Sequence, residues 1–137
     1  MQKTFVKTAA LLGALSVIIG AFAAHSLKER IEPDLLSVIE TAVRYQFYHV
    51  FALLATGVLY SNFPSLKMRW AGYLFITGII LFCGSLYLLC FIEHRHLAGL
   101  HWIGAITPLG GAAFIGGWVM LFLAVVSIKN PPPSCAA

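Results

Sequence analysis

The chain has few residues that could do chemistry, and the densest run of them is Thr41-Ala-Val-Arg-Tyr-Gln-Phe-Tyr-His49. Within it, Arg44 could contact an anion or a lipid headgroup, and His49 could relay a proton or act as a ligand. Each also has a structural reading. Glu40 precedes Arg44 by one helical turn, in the favourable order for an i, i+4 ion pair, and the Arg44 head can extend to the interface. His49 is expected to hydrogen-bond Ser85, Tyr87 or Thr107 and so fix helix register. Tyr45 and Tyr48 complete the run, with Gln46 at its margin, while Pro108 follows Thr107 and His25 ends the first apolar stretch. These ten residues form one candidate polar cluster.

Other chemistry is poorly supplied. His94 and His96, with Glu93 and His101, could hold a divalent ion, but that loop contains no cysteine and we assign no metal there. His25 and His49 as paired haem ligands lack any further haem signature, so no cofactor is expected. The five carboxylates (Glu29, Glu32, Asp34, Glu40, Glu93) provide no acid/base pair inside the apolar spans. Ser85 could meet His49, yet without an orienting carboxylate that is a poor nucleophile. No phosphate-binding glycine loop or dinucleotide fingerprint occurs. The chain is therefore not expected to be an enzyme.

The elements that must position these residues are membrane helices. The 137 residues are 60% hydrophobic and only 10% charged, too few charges for a soluble surface, so the lipid bilayer is the expected partner. The net charge of +4 is spread over several loops rather than interleaved with aromatics, which argues against nucleic acid. Three cysteines, two of them in one apolar span, do not make a disulfide framework. The fold expected is an all-α membrane protein, a single antiparallel bundle of four transmembrane helices over residues 1–130. The spans are 5–25, 41–60, 69–92 and 102–128, and residues 131–137 form a disordered tail. The first span, although Lys3, Lys7, its apolar run and Ala21-Phe22-Ala23 resemble a signal peptide with its cleavage site, has the length of a crossing helix. Pro33 is placed to start helix two, whose first turns (Leu35, Leu36, Val38, Ile39) extend it as an amphipathic interfacial segment. Pro108 is expected to break helix four near its start.

Crossing a bilayer takes about 20 residues, and the apolar Val50–Tyr60 supplies only part of that. Helix two must therefore carry its polar run into the membrane. At 100° per residue, Thr41, Arg44, Tyr45, Tyr48, His49, Ala52, Ala55 and Thr56 form one stripe, expected to face the bundle, and Val43, Phe47, Val50, Leu54 and Val58 an opposite lipid face. Four antiparallel spans would bring the polar residues of all helices to one leaflet. Lys3, Lys7, Lys67, Arg69 and Lys129 lie on one side, and Lys28, Arg30, Arg44 and Arg95 on the other. That leans toward cytoplasmic termini.

Gly20-Ala-Phe-Ala-Ala-His25, Thr41–His49, Gly84-Ser-Leu-Tyr-Leu88 and Thr107-Pro-Leu-Gly-Gly111 with Gly117-Trp118 occur in that order. The set resembles the YgdD-like family of small integral membrane proteins, domain of unknown function family 423, which has mitochondrial transmembrane relatives in animals. The resemblance implies four transmembrane helices and, for a bacterial source, the inner (cell) membrane; it implies no reaction. The expected role is structural or accessory, with exposed faces binding partner helices as a homo-oligomer or within a larger membrane complex. The alternative is a binding or transport module taking a small ligand, an ion or a lipid headgroup at the cluster.

Overall fold

The computed structural model describes residues 2–94 and 101–128. Every described element is helical. α1 spans Gln2–Phe22 and continues into a π-helical turn, Ala23–Leu27. α2 spans Pro33–Asn62. α3 is the rod Leu66–His94, in which a π-helical turn, Ile79–Cys83, joins two α-helical halves. A short 3₁₀ turn, His101–Ala105, leads into α4, Ile106–Val126.

Local chemistry sets the boundaries. Pro33 occupies the first turn of α2 with Asp34 beside it, where a missing N–H costs nothing and a carboxylate meets the positive helix end. Ser65 caps α3 by accepting the Met68 N–H at 3.1 Å. Pro108 lies in the first turn of α4, so its absent donor is one the helix could not have used. The expected break at Pro108 is therefore corrected: it belongs to the start of the helix.

α1 lies along α2, α2 along α3, and α3 along α4. Each pairing is antiparallel. Phe5 meets Tyr60 while Gly20 meets Val43; Leu35 meets Cys90 while His49 meets Phe75; Lys67 meets Ser127 while Ser85 meets Thr107. The main core holds Phe5, Leu53, Phe75 and Phe114, all under 5% exposed. Aromatic rings and glycines interlock there. Phe75 of α3 lies on Gly117 of α4, and Phe114 of α4 lies on Gly78 of α3. One turn beyond the Phe114–Gly78 contact, Gly110 brings its backbone against that of Phe82, in the π-helical turn. Small residues allow such close approach in membrane helices.

The outer surface is apolar: Leu11, Ile115, Phe122 and Val126 are each more than 60% exposed. Among the described residues, three stretches are long and apolar enough to cross a membrane, Lys3–Leu27, Leu66–His94 and Ile103–Val126. α2, although 30 residues long, is outside that group; its first half carries the polar run.

The rotation of α2 differs from the expected stripe. Its buried residues are Ile39, Ala42, Gln46, His49, Val50, Ala52, Leu53, Thr56 and Gly57. Arg44, Tyr45, Tyr48 and Ala55 are exposed, whereas Val50, assigned to lipid, is buried. Gln46 lies at the centre of the inward face. The bilayer explains the error. In lipid, a buried face is not marked by polarity alone, and residues such as Arg and Tyr keep an apolar body at the boundary with the polar end outward.

Candidate functional site

The candidate cluster resolves into three hydrogen-bonded groups, each joining different helices. Gln46, 2% exposed, is the hub of the first. Its Nε2 donates to the Leu12 carbonyl of α1 at 3.1 Å, and its Oε1 accepts from the Tyr87 hydroxyl of α3 at 2.9 Å. One amide thus ties three helices. The Leu12 carbonyl also accepts from Ser16 at 2.8 Å.

His49 forms the second group. A carbonyl can only accept, so the 2.8 Å contact with Tyr45 O fixes the proton on Nδ1. Nε2 is then a lone pair, and the Trp118 indole N–H of α4 donates to it at 3.3 Å. The imidazole lies flat on Phe114, ring centroids 3.4 Å apart and planes 11° from parallel. The expected partners Ser85, Tyr87 and Thr107 are thereby corrected, as is the pairing of Ser85 with His49.

Ser85 and Thr107 form the third group, their hydroxyls 2.7 Å apart. Ser85 donates its one proton to the Phe82 carbonyl at 2.9 Å, which makes Thr107 the donor between the two hydroxyls.

Apart from the Tyr45 carbonyl, the remaining candidates take no part in these groups. His25, Arg44 and Pro108 are exposed, as is Glu40, Arg44's expected partner. Tyr48 is 57% exposed, and Tyr45 packs its ring on Phe82 at 4.8 Å while supplying only its carbonyl to His49. His94 is exposed at the end of α3. His96, the side chain of His101 and the tail 131–137 lie outside the described residues. Among the described residues no three His, Cys, Asp or Glu side chains are grouped to hold a metal ion.

Sequence reasoning missed Trp118 as the partner of His49, and Phe114 as its stacking surface. A signal was present: an indole N–H within an apolar span needs an acceptor, and His49 is one of few available.

Among the described residues every buried side-chain nitrogen and oxygen has a hydrogen-bond partner. This leads to a quantitative expectation. Gln46→Leu strands the Tyr87 hydroxyl and is expected to destabilise the protein by about 1–2 kcal/mol. The Leu12 carbonyl keeps Ser16, so the loss falls on Tyr87. The double variant Gln46→Leu/Tyr87→Phe should recover most of it, since removing both partners leaves nothing unsatisfied. Thermal unfolding of the four members of the cycle in detergent measures this coupling.

Comparison with known proteins places this arrangement among others of its kind. A family model described as "Protein of unknown function (DUF423)" matches residues 19–111. The chain is similar to a UPF0382 membrane protein of Staphylococcus haemolyticus, 43% identical over 89% of this chain and 94% of that one. A UPF0382 membrane protein of Staphylococcus aureus (strain bovine RF122 / ET3-1) is 45% identical over 90% and 95% respectively. One from Staphylococcus saprophyticus is 42% identical over 93% and 100%. No solved structure matches significantly.

Proposed function

Since the chain belongs to the DUF423 family of membrane proteins, we propose its role from the geometry of its polar groups: it is a structural or accessory protein of the bilayer rather than an enzyme. The observation that carries this reading is that the three groups satisfy one another. Each bonds across a helix interface, Gln46 to α1 and α3, His49 to α4, and Ser85 to Thr107. A receptor for a polar ligand would hold donors and acceptors free for it; here they set the register of four helices.

In this reading α2 is the fourth span of a single antiparallel domain. At about 1.5 Å per residue its 30 residues reach about 45 Å, beyond the roughly 30 Å hydrocarbon core, so its first turns lie at the interface. Its polar groups enter the bilayer already paired. The relatives' source supports a bacterial cell membrane, and the lean of basic residues supports cytoplasmic termini. The exposed apolar faces of α1 and α4 are surfaces for partner helices, in a homo-oligomer or a larger membrane complex.

Native gel electrophoresis of membranes solubilised in mild detergent tests the role. The expected result is an assembly larger than one chain, in which Gln46→Leu/Tyr87→Phe keeps its place because the lock can be replaced by apolar packing. A lone, monodisperse chain carrying a stoichiometric small polar molecule, lost from that double variant, would overturn the proposal.

A further inference from the structure

A cleft of about 220 Å³ opens where the end of α1, the start of α2 and the last turns of α3 meet. Ile19, Phe22, Leu35, Ile39 and Cys90 form much of its wall. The turn between α1 and α2 adds Leu27 and Ile31. Tyr87 also borders the cleft, but its hydroxyl is given to Gln46, and the Cys90 thiol is directed to the Leu35 carbonyl at 3.6 Å. Phe91 and His94 at the end of α3 complete the lining, so the wall offers an occupant mainly apolar surface, with the exposed His94 imidazole as its one polar group not already committed.

Its depth fits a lipid tail. From Leu27 back to Ile19 the helix descends about 12 Å at 1.5 Å per residue, within the roughly 15 Å hydrocarbon half-thickness of a bilayer. In a membrane protein, acyl chains are the medium against such an opening. The volume is below the roughly 300 Å³ at which small-molecule sites begin, which suits one chain end rather than a bulky ligand.

The rim adds charge complementarity. Lys28, Glu29, Arg30 and Glu32 are exposed and lie beside the wall residues Leu27 and Ile31. Two cations and two carboxylates in one short turn suit a headgroup that itself carries both signs. Its phosphate would meet Lys28 and Arg30, and its ammonium Glu29 and Glu32. A headgroup with negative charge alone would face the carboxylates without compensation.

We propose that this cleft binds one acyl chain of a zwitterionic, amine-bearing phospholipid, phosphatidylethanolamine, with its headgroup on the Lys28–Glu32 turn. Apart from the Tyr87 side chain, the site shares no lining residue with the hydrogen-bonded groups, and it stands whether or not the protein is an accessory subunit.

The test is native mass spectrometry of the full chain, delipidated and then reconstituted with equal amounts of phosphatidylethanolamine and phosphatidylglycerol carrying identical acyl chains. The expected result is one retained phospholipid per chain, with phosphatidylethanolamine favoured about fivefold, the scale of one interfacial charge contact. Cys90→Phe, which fills the cleft, should lower retention about tenfold. Ile31→Trp blocks the same cleft from a half-exposed position and serves if Cys90→Phe fails to fold. Glu29→Gln with Glu32→Gln should abolish the headgroup preference while leaving the acyl chain bound. No retained lipid on the wild type, equal retention of the two phospholipids, or unchanged retention in a filled variant with a wild-type melting curve would each overturn the proposal.

Discussion

Gly110→Ala is expected to destabilise the protein by at least about 3 kcal/mol, the upper end of ordinary overpacking. One methyl group has so large an effect because of what it meets. A Cβ at residue 110 would overlap the backbone nitrogen of Phe82 and lie 2.7 Å from its Cα and Cβ. A side chain can rotate away from such a contact, but a helix backbone cannot. α3 and α4 would have to separate, and separation would lift Phe75 from Gly117 and Phe114 from Gly78. Phe114 also carries the His49 ring, so the disturbance reaches α2. The adjacent glycine is the control. A Cβ on Gly111 finds nothing nearer than the Phe82 ring at 3.9 Å, so Gly111→Ala should be neutral or slightly stabilising through its better helix propensity. Thermal unfolding of both variants in the same detergent decides the matter; equal melting of Gly110→Ala and wild type would refute the backbone contact.

Phe5→Ala should cost about 3 kcal/mol, the low end of the range for deleting a core aromatic ring. The low end is chosen because lipid is as apolar as the core, so the penalty is the cavity and lost packing rather than transfer from water. Phe5 is 1% exposed. Its ring covers Gly72, where a Cβ would come within 2.6–2.9 Å of it, and meets Tyr60 and Tyr73 edge-on at 6.2 and 5.5 Å. Gly57 and Gly72 themselves carry no side chain to fill the space the ring leaves. Phe5→Leu should recover more than half of the loss in the same melting experiment, because it restores volume without the edge contacts. A Phe5→Ala protein that melts with the wild type would show that α1 is dispensable to the core.

Hydropathy made the helices legible from sequence, and Pro33 marked the start of α2. Gathering the polar residues toward one end followed from antiparallel order, and Gln46, Tyr87, Ser85 and Thr107 do meet their counterparts on other helices. The pairings were less legible. His49 was matched to hydroxyls at a similar depth, whereas Trp118, a turn or more further along α4, is its partner. That choice depends on the rotation of α2, and polarity pointed the wrong way for it. Tyr45 and Tyr48 looked like interior residues because they were polar, yet their exposed positions suit side chains that are apolar along the ring and polar at the tip. The π-helical turn at Ile79–Cys83 was also invisible to a 3.6-residue period. It shifts the facing of every later residue of α3, including Ser85 and Tyr87.

The place of Phe5 has a consequence for biosynthesis. The ring belongs to α1, which is made before the other helices of the bundle, but its seat on Gly72 is about 70 residues further along the chain. At roughly 5–20 residues per second, α1 waits several seconds in the membrane before that seat exists. During the interval the Phe5 ring lacks its Gly72 seat, and α1 is held by α2 alone, through Gln46, the Gly13, Gly20 and Gly57 contacts and the edge of Tyr60. The first two helices must therefore form a hairpin that survives unaided, and the amide of Gln46 is the polar contact available to hold it until α3 arrives.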